Sequence, residues 1–270
     1  MMAFVVEPLQ YGFFVHGLVA ALLVGSLCGL LGVYIVLRQM SYIGHGLSHA
    51  VFGGAVVSHV LGLNVYVGAG LWGFGAAVLI HRLATRHNIH ADAAIGIVTT
   101  ASFAVGVALM SRVHRFTQDF EAVLFGNVLG VSEHDLVLIA MVTGLTGLVV
   151  AALYKQLLFS TFDEAVAQVA GVPTRLVRLL FALVLALAIL ASMQVLGVTL
   201  IAATIVIPAA TARLLTHSFS TLLVLSTALG GLTALVGMYL SYYFDIASGA
   251  SIVLFAALLF VGVLSARRHA

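Results

Sequence analysis

The chain has 270 residues, of which 63% are hydrophobic and only 7% charged, with a net charge of +2. A soluble domain carries roughly 25% charged residues, so this composition excludes a soluble globular protein and specifies an integral membrane protein. So small a net charge also gives no case for nucleic-acid binding, and long apolar runs without alternating polarity point to helices rather than a barrel.

The N-terminus reads Met1-Met2-Ala3-Phe4, with Glu7 and no basic residue before the first apolar stretch. That is not the shape of a cleaved signal peptide. Windows of about 20 apolar residues place spans near 10–37, 44–62, 64–86, 92–111, 134–155, 175–197, 199–216, 219–242 and 247–265. Leu196-Gly197-Val198-Thr199 is a very short connection, so eight spans with one re-entrant segment is the alternative. The predicted fold is an all-α polytopic bundle of eight to nine transmembrane helices, one domain over 1–270. Cys28 is the single cysteine and lies in an apolar run, so no intrachain disulfide or CxxC site exists.

Basic residues set the orientation. With the N-terminus outside, the inner side receives Arg38, Arg82, Arg86, Lys155, Arg175, Arg178, Arg213, Arg267 and Arg268, and the outer side only Arg112 and Arg115. This bias predicts an outer N-terminus and a cytoplasmic C-terminus. The acids run the other way: Glu7, Asp119, Glu121, Glu133, Asp135 and Asp245 fall outside, and Asp92, Asp163 and Glu164 inside. A negative outer face concentrates cations at the entrance, although each such acid can equally be a solvated loop residue.

The longest inner connection, 156–174, contains Thr161-Phe162-Asp163-Glu164, a capping-box pattern. Gly171 and Pro173 are stop signals just after Ala170. The expected product is a short helix from Asp163 to Ala170, with Phe162, Val166 and Val169 available for packing. It can lie against the bilayer, or dock into a cytoplasmic partner and pass motion to the spans.

His45 and His49 stand four residues apart in Ser41-Tyr42-Ile43-Gly44-His45-Gly46-Leu47-Ser48-His49-Ala50. Ionisable groups inside a membrane are costly unless paired or functional. Positions i and i+4 share a helix face, so two imidazoles can close on one metal ion. At 100° per residue His49 lies about 40° to one side of His45 and His59 about 40° to the other. His59 is roughly 15 Å from His49 by helical rise, a second station on one stripe rather than a ligand of the same ion. Gly44 and Gly46 permit close backbone approach and irregular helix geometry. Taken singly, His16, His59 and His217 read as core histidines. His87, His90 and Asp92 form a second cluster that also reads as a solvated loop beside a helix start. The chain has no His-His dipeptide, as membrane di-iron oxygenases need, and no HExxH.

The energy source is constrained by an absence. Lys155 is the only lysine and no GxxxxGK[ST] occurs, so an ATP-driven process needs a separate hydrolysing subunit. Ion coupling would call for more buried acids than this interior offers.

Several stretches together carry a resemblance. They are 32–44 (GVYIVLRQMSYIG) with Leu47-Ser48-His49-Ala50, Asp92-Ala93-Ala94-Ile95-Gly96-Ile97 and Leu124-Phe125-Gly126-Asn127-Val128-Leu129. Then follow Phe162-Asp163 with Ala170-Gly171-Val172-Pro173, Gln194-Val195-Leu196-Gly197-Val198, Pro208-Ala209-Ala210-Thr211-Ala212-Arg213 and Ser248-Gly249-Ala250. In this order, over nearly the whole chain, they resemble the permease subunits of ABC-type importers for zinc, manganese and iron. The resemblance implies a non-catalytic homodimeric permease in a prokaryotic plasma membrane, with its path at or beside the dimer axis. It further implies two cytoplasmic ATP-binding subunits and an extracytoplasmic metal-binding protein, with no permanently bound cofactor.

On that resemblance the short inner helix, with Asp163, Glu164, Val166, Ala170, Gly171 and Pro173, is the coupling helix, and His49 and position 45 are metal contacts. The family commonly has aspartate where this chain has His45, and proline where it has Ala247. Imidazole in place of an oxygen ligand shifts preference from manganese toward zinc, so zinc is the expected cargo, with manganese or iron the alternative. An organic-chelate permease and a membrane metalloenzyme are the competing classes. Because imidazole binds metal only when neutral, uptake is expected to weaken below about pH 6.5.

Overall fold

A computed structural model describes residues 6–86, 90–112, 124 and 126–268. The described residues form eleven α-helices: α1 Gly12–Leu37, α2 Ser41–Val60, α3 Val65–Arg86, α4 Ala91–Arg112, α5 Glu133–Ala152 and α6 Tyr154–Phe162. The series continues with α7 Glu164–Val169, α8 Thr174–Leu196, α9 Ile201–Leu215, α10 Phe219–Phe244 and α11 Ser248–Arg268. Nine of these coincide with the nine apolar segments, and no boundary differs by more than three residues.

Seven helices are long and apolar enough to cross a membrane: α1, α3, α4, α5, α8, α10 and α11. Two fall short for different reasons. Helix α2 has 20 residues, but three histidines, three serines and four glycines dilute its hydropathy. Helix α9 has 15 residues, with Pro208 inside it. At 1.5 Å per residue it is about 22 Å long, less than the ~30 Å hydrocarbon core. It does not fold back as a hairpin on α8; it packs mainly against α1, α10 and α11.

Helices α1 and α8 are the most buried of the apolar helices. Lipid supplies no hydrophobic force between helices, so close approach and dispersion must hold them together. The seam between α1 and α10 is built for this. A Cβ on Gly25 would stand 2.4 Å from the Gly230 carbonyl oxygen, and one on Gly29 2.3 Å from that of Ser226. With the backbones this close, Ser226 Oγ donates a 2.6 Å hydrogen bond to the Gly29 carbonyl. Helix α2 is held between α3 and α4, and Gly46 meets Ile95 and Thr99 of α4 where any Cβ would clash.

The connection between α5 and α8 differs from expectation. Residues 154–162 are a helix, α6, that follows α5 after a break at Leu153. Thr161 therefore belongs to α6, where its hydroxyl donates to the Leu157 carbonyl at 2.6 Å, and it does not cap α7. Asp163 does so instead, accepting from the Val166 amide at 3.0 Å. Gly171 at φ 80° ends the segment in the left-handed region that glycine enters without strain. Pro173 stands at the N-cap of α8.

Candidate metal site in helix α2

Helix α2 begins two residues after the end of α1's cap, with Gln39 at φ 55° making the turn. Its second and third turns present His45 and His49 on one face. The two Nε2 atoms are 3.0 Å apart, and the rings meet edge to face with centroids 4.3 Å apart. At this distance one neutral imidazole can donate its Nε2 proton to the lone pair of the other; with both protons on Nδ1 instead, both Nε2 lone pairs are free to take a cation between them. Zinc–imidazole bonds of about 2.0–2.1 Å set two nitrogens about 3 Å apart at right angles and about 3.4 Å apart at the tetrahedral angle. The pair therefore needs to open by only a few tenths of an ångström.

Both histidines are half-buried. On one side His49 packs edge-on against Phe103 of α4, with centroids 4.6 Å apart, and Phe103 in turn touches Phe52. On the other side Tyr42 stacks near His45 at 5.7 Å and is itself exposed. Ser48, fully buried, donates to the His45 carbonyl at 2.8 Å. That hydroxyl holds the backbone of the turn carrying both imidazoles. The Nδ1 atom of His49 is buried with no hydrogen-bond partner, so nothing among the described residues fixes its tautomer.

The pair is incomplete as a cage. No group of three or more His, Cys, Asp or Glu among the described residues could hold a metal ion. Two imidazoles with an open side suit transient passage, or completion by ligands from another chain, rather than tight storage.

The other expected site residues fall as follows. His59 is exposed in the last turn of α2, at the end away from His45. Of the two uses open to Gly44 and Gly46, Gly46 makes the close approach, to Ile95 and Thr99 of α4, while α2 runs as an uninterrupted helix from Ser41 to Val60. Asp119, Glu121 and His87 lie outside the described residues. Glu133 is exposed in the first turn of α5. Asp135 is committed to structure: its carboxylate accepts from the backbone and hydroxyl of Ser132 in a capping box and from Tyr66 Oη at 3.5 Å. Asp245 is exposed at the C-cap of α10, with φ 52°. In the segment between α6 and α8, Glu164 forms an ion pair with Arg178 of α8.

Sequence reasoning missed Phe103, which nothing in the sequence sets apart from the other phenylalanines. It also missed the role of Arg38, which donates through Nε to Thr161 and through Nη2 to Ser160, at 3.1 and 3.0 Å. These bonds tie the α1–α2 turn beside the histidines to α6, next to α7.

The model of the ABC 3 transport family matches residues 10–267. This chain belongs to that family. It is 38% identical over 254 residues to the manganese transport system membrane protein MntC of Halalkalibacterium halodurans, covering 94% of this chain and 87% of that one. It is 35% identical over 265 residues to a protein of Haemophilus influenzae named for iron transport, covering 98% and 97%. Among solved structures it is similar to a chain of PsaBC from Streptococcus pneumoniae in complex with Fab, with TM-score 0.87, 34% identity and 97% and 95% coverage. The chain is thus the permease of an ABC metal importer. These relatives are named for manganese and iron, and they do not support the preference for zinc drawn from His45.

Proposed function

We propose that two copies of this chain form the membrane path through which an ATP-driven importer admits manganese(II) to the cytoplasm, with His45 and His49 as the contact the ion makes in transit. The observation that carries this is the 3.0 Å separation of two Nε2 atoms on a half-buried face of α2, in a chain of this family. Manganese takes its place ahead of zinc from the names of the relatives. Iron is the second reading, favoured by the Haemophilus influenzae relative.

The chemistry follows from the residues. Exposed Glu133 and Asp245 lie at helix ends on the side assigned to the outside, where negative charge raises local cation concentration. An extracytoplasmic metal-binding protein delivers the ion there. The ion sheds part of its hydration to the imidazoles of one or both copies, the second pair supplying what one chain lacks. Weak, incomplete ligation lets it leave inward.

Helix α7 receives the stroke of a separate ATP-binding subunit. Val166 and Val169 on it and Phe162 at the end of α6 are 54%, 91% and 62% exposed, a large apolar surface for a polar connection to present. The bundle sits in a prokaryotic plasma membrane with the N-terminus outside, as the arginine distribution argues.

The test is metal uptake by vesicles holding the permease, its ATP-binding subunit and its binding protein, with radioactive manganese as cargo and zinc or iron(II) as competitor. Saturable manganese uptake that is lost in the His45→Ala, His49→Ala double variant is the expected result. Unchanged uptake in that variant overturns the site, and preference for zinc or iron over manganese overturns the cargo.

A further inference from the structure

On the side of α2 away from the histidines lies a cavity of about 300 Å³. Ile43 and Leu47 line it, and helical rotation sets those positions roughly opposite His45 and His49. It is enclosed by the α1–α2 turn, α3, α4, α6, the start of α7, and α8. Its walls are of two kinds. The floor is apolar, with Ile80, Ile95 and Phe181 added to the α2 residues. The polar wall carries Arg38, Arg178 and His81 against a single carboxylate, Glu164.

That carboxylate is already used, because Glu164 pairs with Arg178. Arg38 has no carboxylate partner among the described residues. Its charge rests on the face of Phe181, 4.8 Å from the ring centroid, and on the hydroxyls of Thr161 and Ser160. Both hydroxyls give their own protons to the Leu157 carbonyl, so they are neutral acceptors. Burial, and after it the charge of Arg178, press the Arg38 guanidinium down to about 10, yet it remains a cation at neutral pH. A guanidinium has five N–H donors, and Arg38 spends two of them on these hydroxyls. A half-enclosed cation with spare donors, facing a second guanidinium and lacking a counter-ion, calls for an anion.

We infer that this cavity binds the phosphate group of an amphiphile, with Arg38 as the principal grip and Arg178 in support. A free phosphate has five heavy atoms and would leave most of the volume as an apolar void. A phospholipid fills it, setting its phosphate on the arginines and its glycerol and first methylenes against Ile43, Leu47 and Phe181. The location suits this source. The α1–α2 turn and the starts of α7 and α8 lie at the basic end of the bundle, where headgroups of an anionic leaflet sit and where basic pockets between helices take lipid phosphates. The site does not depend on the transport reading, since none of its residues contacts the proposed cargo.

The experiment uses the delipidated chain in detergent, titrated with dihexanoylphosphatidylglycerol, dihexanoylphosphatidylcholine and inorganic phosphate. Bound phosphorus after gel filtration and the unfolding temperature are the readouts. The expected result is tightest binding and the largest rise in unfolding temperature with phosphatidylglycerol. Affinity falls about tenfold or more in Arg38→Gln, as loss of a charge-assisted contact implies. It is largely kept in Arg38→Lys, and in Lys155→Gln, which removes a charge outside the cavity.

Inorganic phosphate binding as tightly as the lipid, and competing with it, overturns the lipid source and assigns the same site to a soluble phosphate. Equal binding of all three probes by the native chain and by Arg38→Gln overturns the site itself. Should Arg38→Gln not fold, Ala182→Phe fills the cavity while keeping both arginines. Undiminished phosphatidylglycerol binding in Ala182→Phe also overturns the proposal.

Discussion

The imidazole of His49 is held between His45 on its own helix and Phe103 on α4, its ring centroid 4.3 Å from the first and 4.6 Å from the second. Because His49 Nδ1 has no hydrogen-bond partner, the phenyl ring is what restrains the rotamer on that side. Removing it should free the imidazole without altering any ligand atom. Phe103→Ala is expected to weaken metal binding in transit by about tenfold, the lower end for loss of a group that orients a ligand. Phe103→Leu should keep most of the restraint. Half-saturating manganese in vesicle uptake checks both, with the unfolding temperature confirming that each variant folds.

The open side of the pair predicts where a second copy meets the first. Tyr42 lies one turn before His45 on the same face, is 50% exposed and contacts His45. If two copies bring their histidine faces together, Tyr42→Cys should form an intermolecular disulfide under mild oxidation. The background for this test is Cys28→Ala, since Cys28 is the one native cysteine and is buried against Ser192. A covalent dimer on a non-reducing gel is expected. A chain that stays monomeric whatever the oxidant would remove the shared site from the mechanism.

On the docking role proposed for α7, substitutions in it should separate stability from coupling. Asp163 caps it through the Val166 amide, and losing such a cap costs about 1 kcal/mol. Asp163→Ala should therefore fray α7 while the bundle persists. Val169, almost wholly exposed, contributes nothing to the bundle. Val169→Glu is expected to leave the unfolding temperature unchanged and to abolish co-purification with the ATP-binding subunit. Normal recovery of that subunit with Val169→Glu would move the docking surface elsewhere.

Seven of the helices were legible because each is a long apolar run that hydropathy measures directly; α2 and α9 were legible only from what bounds them, the turn at Gln39 before α2 and the short connection 197–200 before α9. The pair at His45 and His49 was legible because helical spacing fixes which residues share a face. What escaped was decided by tertiary neighbours. Thr161-Phe162-Asp163-Glu164 offers two capping residues, and the choice went to Asp163 because α6 runs through Thr161 and uses its hydroxyl. Asp135 reads as an outer acid, yet Ser132 three residues earlier already marked it as half of a capping box. Arg38 counted only as one more inner positive charge; its bonds to Ser160 and Thr161 span more than 120 residues and leave no local pattern.

His45 remains the position at which selectivity should be set. The nitrogens of His45 and His49 already stand close to the spacing of right-angle coordination, so geometry alone does not exclude manganese. Ligand type is the remaining lever, because carboxylate oxygen suits manganese and imidazole suits zinc and iron about equally well. His45→Asp keeps a metal-binding group in the same turn and changes only its hardness. It is expected to raise manganese uptake relative to zinc by several-fold in competition, and to extend uptake to lower pH, because a carboxylate stays ionised well below the pH at which imidazole protonates. An unchanged pH profile and an unchanged manganese-to-zinc ratio in His45→Asp would place the selective contact outside this pair.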